Sequence, residues 1–179
     1  MANVDQPNGF TLLAQETYEM EQFSVDAANA TILGHGDAVI QEADGNVARA
    51  ATDSGDLVIG VITSIKNSTG SPITTLAATT AGTVEVALAT PGKPFGVQSD
   101  GDGATVAQTD VGATANITIG NASTFTGRSI MELDTSNIGT GNSMRILGLV
   151  REVGIAFGTA NANLRIMFVE SQSLNNTSV

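Results

Sequence analysis

The residue types able to do acid–base or metal chemistry gather in one stretch, His35–Ile65, which reads HGDAVIQEADGNVARAATDSGDLVIGVITSI. It holds the chain's one histidine, His35, and the acids Asp37, Glu42, Asp44, Asp53 and Asp56. A metal site drawn from His35, Asp37, Glu42 and Asp44 needs several donors converging on one point. The spacing argues against that. His35 lies between Gly34 and Gly36, a turn pattern; Glu42 belongs to a strand pattern, and Asp44 opens a hairpin turn. A strand of about five residues, roughly 17 Å long, separates the two acidic groups. Asp beside Gly is what turns use. The stretch is expected to be a β-hairpin, and no metal site is predicted from it.

The other chemical patterns are weaker. SDGDGATVAQTD (Ser99–Asp110) alternates Asp100 and Asp102 like a calcium loop, but the fifth position from Asp100 is Ala104 and the twelfth is Val111. An EF-hand needs a ligand and a Glu there, which leaves at most a weak ion at the DGDG turn. A Ser-His-Asp triad would have to use His35 as its base. No GxSxG, GxxxxGK[ST] or GxGxxG is present. Paired carboxylates for glycoside hydrolysis remain compatible with the sequence, but 4% aromatics and no Trp leave little for a sugar platform. No cofactor is predicted, and an enzyme is not expected. Asn-x-[Ser/Thr] occurs at Asn29, Asn67, Asn116, Asn121, Asn175 and Asn176. With no secretory leader expected, these read as a consequence of an Asn/Thr/Ser-rich composition.

The elements that would position any site come from the composition and its periodicity. The 179 residues suit one domain, or one domain with an arm. Hydrophobic residues make up 41% and are mostly Ala, Val, Ile and Leu, the small branched content of thin β-layers. Seven Lys and Arg against eighteen Asp and Glu give a net charge of −11. The bias is uneven: residues 1–48 carry eight acids and no Lys or Arg. Without clustered bases there is nothing to displace phosphate counterions, so nucleic acid and anionic membrane are not expected partners. Arg145, Arg151 and Arg165 stand in the late strands, solvent-facing or paired with the acidic N-terminal third. The absence of cysteine excludes disulfides and zinc–thiolate sites. MANVDQPNGFTLL lacks the basic and apolar regions of a signal peptide, and no apolar run approaches 18 residues. Synthesis as a soluble cytoplasmic chain is the expectation.

DAVIQEA and VARAA flank DGN as hairpin strands, with Asp44-Gly45 or Gly45-Asn46 available for positive φ. LVIGVITSI (Leu57–Ile65) is rich in β-branched residues, and Gly60 within it predicts a bulge or close backbone approach. GTVEVALA (Gly82–Ala89) puts Val84, Val86 and Leu88 on one face, with Glu85 and Ala87 on the other. PFGVQ, ANITIG, RSIMELD, MRILGLVREVG and NLRIMFVE continue the series, while TLLAQETYEMEQF reads as a helical turn or two or as an extended arm. The prediction is all-β: a compact β-sandwich or barrel of short strands with an extended N-terminal arm. Its expected parts are an arm over residues 1–24, a β-rich body over 25–170 and a polar tail over 171–179.

Taken in order, several of these segments resemble one family. MANVDQPNGF is similar to the "MAN…AP.GF" start of the head decoration, or cement, proteins of tailed bacteriophages. HGDAVIQEADGNVARA resembles their "GD.V….DG.V..A", LVIGVITSI their next strand, and PGKPFGVQSDG their "PG..F.VQ.DG". VGATANITIGNASTFTGRSIMELD, MRILGLV and LRIMFVE resemble the closing segments, so the likeness spans residues 1–170. The segment after Phe10, TLLAQETYEMEQF, matches no basic pattern of the family.

The resemblance implies a non-enzymatic protein on the outer surface of the mature virion capsid, bound to the major capsid protein and often a homotrimer. Three weak contacts of a trimer would gain about 10²–10⁴ in avidity. Pro7, Phe10, Leu12 and Leu13 of the arm are the expected capsid contacts, Phe10 and Leu12 being apolar among polar and acidic neighbours. Packing of these residues on their own β-domain is the competing expectation. The alternative function is a tail or fibre component that contacts the host surface.

Overall fold

The computed structural model describes residues 4–51, 57–102, 104–141, 143–150 and 156–169. The chain is all-β, built of antiparallel sheets. In chain order the strands are β1 (Thr11–Leu12), β2 (Met20–Val25), β3 (Leu33–Gly34), β4 (Ala38–Gln41), β5 (Val47–Arg49), β6 (Val58–Asn67) and β7 (Thr75–Leu76). They continue as β8 (Gly82–Leu88), β9 (Phe95–Gln98), β10 (Thr114–Ala115), β11 (Ile117–Thr118), β12 (Glu132–Leu133), β13 (Met144–Leu149) and β14 (Asn163–Phe168). One five-stranded sheet runs β1-β9-β14-β13-β10 and a second runs β2-β8-β6-β4-β5. The pairs β3-β7 and β11-β12 are small ribbons. Strands β2 and β5, at opposite edges of the second sheet, touch, so that sheet curls towards a barrel.

Two cores follow from this. The first lies between the sheets. Phe95, Met144, Ile146, Leu164, Ile166 and Phe168 of the first sheet meet Ala38, Val58, Val61 and Ala87 of the second. Large side chains on one layer face small ones on the other, so the layers can interdigitate. The second core fills the inside of the curled sheet with Val39, Val47, Ile59, Ile62, Ile65, Val84 and Val86, closed by Leu33 and Leu76 of the β3-β7 ribbon. Strands β4, β6 and β8 serve both cores on alternate residues. The sequence reading of β8 needs one correction. Ala87 is not on a polar face with Glu85; it is fully buried, because the first sheet covers that end of the strand and leaves Glu85 exposed.

The predicted β4-β5 hairpin forms, with Val39 opposite Arg49 and Gln41 opposite Val47. Its turn closes with Gly45 N–H donating to Glu42 O at 3.0 Å, and Gly45 takes a φ of +87°. This is a type I turn followed by a left-handed glycine, not a two-residue loop. Gly60 lies where the β4-β6 register shifts, and a Cβ there would stand 2.2 Å from the Ala87 carbonyl. It is a close backbone approach, as expected.

The arm over residues 1–24 is corrected from its start. TLLAQETYEMEQF is neither helix nor free arm: β1 pairs with β9 and β2 with β8, each in a different sheet. Upstream, Gln6 N–H donates to Gln98 Oε1 and Gln98 Nε2 donates to Val4 O, both at 3.0 Å, which straps the N-terminal segment to β9. Gly96 and Gln98 are buried although they point away from the first core, because this strap covers them. The proposed tail, 171–179, lies outside the described residues.

Candidate functional site

His35 is held as a structural residue. Its Nδ1 is 2.9 Å from the Thr63 carbonyl, its N–H donates to Gly127 O, and its own carbonyl accepts from Ser129 N–H. Two residues on, Asp37 is fully buried. Its Oδ2 accepts from Gly34 N–H at 2.7 Å, closing the turn that carries His35, while Oδ1 makes no well-aligned hydrogen bond. Burial pushes the carboxyl up to about 6; the neighbouring Ser129 hydroxyl, the Gly34 N–H and the Arg49 charge offset this only in part. Glu42 and Asp44 sit across the β4-β5 hairpin, and Asp44 accepts from the backbone and side chain of Asn46, which holds its carboxyl below the ordinary range. The four residues do not converge. No cluster of three or more His, Cys, Asp or Glu suited to a metal occurs among the described residues.

Asp100, the first acid of the calcium-like turn, has turned inward. Its Oδ1 accepts from the Thr135 hydroxyl at 2.6 Å and its Oδ2 from the Thr118 hydroxyl at 3.2 Å, pinning the β11-β12 ribbon to the end of β9. Glu132 lies nearby, pushed up to about 7 by burial and then by the charges of Asp5, Asp100 and Asp102. Asp134 is raised by burial but held lower overall by donors from Ser136 and Asn137. Asp100 and Asp134 organise turns, whereas Glu132 Oε1 is buried without a hydrogen-bond partner. The Asn-x-Thr motifs do the same: Thr31 and Thr69 donate their hydroxyls to Asn29 Oδ1 and Asn67 Oδ1 at 3.1 and 2.7 Å. Such Asx turns explain the recurring pattern at those positions.

The expected contact residues divide. Phe10 is only 2% exposed, and its ring packs against Phe168 at 4.9 Å between centroids. Leu13 is buried too. Neither can serve as an exposed anchor: Phe10 belongs to the first core, where Phe10, Phe168, Phe95 and Tyr18 form a continuous aromatic chain, and Leu13 is covered against Gly96 on the outer face of β9. Leu12, at 40% exposed, and the half-buried Pro7 remain on the surface.

A large concavity lies beside this segment. It is an open groove of about 700 Å³ whose walls include Gln6, Thr11, Glu16, Gln98, Asn163 and Arg165. Arg165 Nε is buried there without a hydrogen-bond partner, and Glu16 is paired with Lys93 at 3.8 Å. The late-strand arginines therefore differ: Arg145 is exposed, Arg165 lines the groove, and Arg151 lies outside the described residues. Polar groups converge on the groove. What sequence reasoning missed is Phe125, which is 97% exposed; its flanking Thr124, Thr126 and Gly127 marked a turn tip.

Compared with family models, with curated proteins and with solved structures, the chain matches none. Among the described residues no helix is long and apolar enough to cross a membrane.

Proposed function

We propose that this chain is a non-enzymatic structural protein of a tailed bacteriophage that binds the exterior of the mature head and bridges neighbouring copies of the major capsid protein. The observation that carries the reading is where the resemblance falls. Its segments include strands that build the two cores: HGDAVIQEADGNVARA spans β4 and β5, VIGVITSI lies in β6, PFGVQ is β9 with its leading proline, MRILGL is β13 and LRIMF lies in β14. The order and spacing of the segments together, rather than any one Gly-rich fragment, support the likeness. The chemistry is in keeping: the histidine and the buried acids are used to close turns, and a body of net charge −11 suits a surface that must ignore DNA.

A gradient separation of phage lysate, probing each fraction for this chain, tests the reading. Comigration with DNA-filled heads and absence from unexpanded procapsids is the expected result. Comigration with free tails would assign the chain to a fibre, and recovery only as soluble protein would exclude a virion component.

A further inference from the structure

We propose that the turn carrying Phe125 is the docking surface, seated in an apolar, acid-rimmed depression of the major capsid protein. This rests on the head-binding reading above. Of six phenylalanines, five are buried or half-buried and Phe125 alone stands in solvent. The turn beneath it is built, not loose. Ser123 N–H donates to Arg128 O at 2.8 Å, Gly127 N–H to Ser123 O at 2.7 Å, and Thr126 N–H to Ser123 Oγ at 3.2 Å. Strap bonds tie it to the body through His35: His35 N–H to Gly127 O at 2.9 Å and Ser129 N–H to His35 O at 2.8 Å. Gly127 has a φ of +72° and a Cβ position 2.8 Å from the Thr74 Cβ, so the backbone is seated where no other residue fits. An aromatic ring offered on a pre-ordered turn loses little freedom on binding, which is the recipe for an interface anchor.

The charge around it selects the partner. In a chain with eighteen acids, the 21 residues 111–131 contain none, and Arg128 is their one charged group. Arg49 closes the flank, its guanidinium donating to Gly120 O and to Asn121 Oδ1. The result is an apolar tip beside the exposed Arg128 on an acidic body, matched by an apolar seat with an acidic rim. A second copy offers a poorer seat. Its large groove among the described residues is walled in part by Gln6, Gln98, Asn163 and Arg165, and a ring placed there would strip water from those groups.

The test uses heads assembled without this protein, mixed with the full-length wild type, Phe125→Ser or Arg128→Gln and co-sedimented across a salt series. Phe125→Ser is expected to weaken binding about 10-fold or more with an unchanged melting temperature, since the native ring is in solvent. Arg128→Gln is expected to flatten the salt dependence. Wild-type affinity in Phe125→Ser would overturn the docking surface and leave the head reading standing. Failure of the wild type to bind would overturn both. An unaltered salt dependence in Arg128→Gln would remove the acidic rim. If the free wild type sediments as an oligomer that Phe125→Ser dissociates, the ring is a contact between copies and the proposal falls.

Discussion

At the scale of single residues, Asp37 sets a pH dependence. Its native value of about 6 stands above the ordinary 3.8, so between those values the folded state binds more protons than the unfolded chain. The stability that this group contributes is therefore greatest below about pH 4, falls as pH rises to about 6, and changes no further above that. At 1.36 kcal/mol per pH unit the loss is on the order of 3 kcal/mol. Asp37→Asn keeps an acceptor for Gly34 N–H without the buried charge. Urea denaturation at pH 4.5 and 7.5 should show the variant gaining on the wild type at the higher pH. Parallel curves would sink the assignment. Glu132, pushed up by burial and by its acidic neighbours, acts in the same direction and extends the decline towards pH 7.

At the scale of elements, β6 and β8 approach closely at Gly60. Gly60 faces the Ala87 carbonyl at 2.2 Å and Val86 Cγ1 at 2.6 Å from where a Cβ would be. The obstacle is largely backbone, so it cannot swing aside. Gly60→Ala should cost about 1–3 kcal/mol as an overpacked interior, read as a lower thermal midpoint. An unchanged midpoint would mean that the strands separate more easily than this geometry allows. The same elements show how far periodicity carries. Val84 and Val86 were legible as a buried face from alternation alone, and the Asp44-Gly45 turn from its residue types. Ala87 was not, because alternation groups side chains by face without saying what covers that face.

At the scale of the whole molecule, the N-terminal segment belongs to the body. It supplies Phe10 to the first core, an edge strand to the first sheet and, through β2, an edge strand to the second. Removing residues 1–13 should therefore unfold or strongly destabilise the protein rather than release a dispensable arm. Loss of the Phe10 ring alone is a change of about 3–5 kcal/mol, against a total stability of about 5–15 kcal/mol for a domain. A circular-dichroism melt of the truncated chain checks this; a native-like midpoint would restore the arm. Because β4, β6 and β8 are shared by both cores, the damage should not stay local.

The sequence by itself determined the class of the fold, the hairpin at 38–49 and the close approach at Gly60. Each of these depends on residues near one another along the chain: β-branched runs, alternation of period two, and Gly, Asn and Asp at turns. Only the tertiary structure decided that Phe10 and Leu13 are core, that Asp37 is buried and that Phe125 is left in water. The reason is physical. Burial depends on what lies opposite a side chain, and for these residues the opposite surface comes from far away: Phe168 lies over Phe10, and Gln98 fastens the strap that begins at Val4. Phe125 has no such counterpart among the described residues, so its turn was legible in the sequence and its exposure was not.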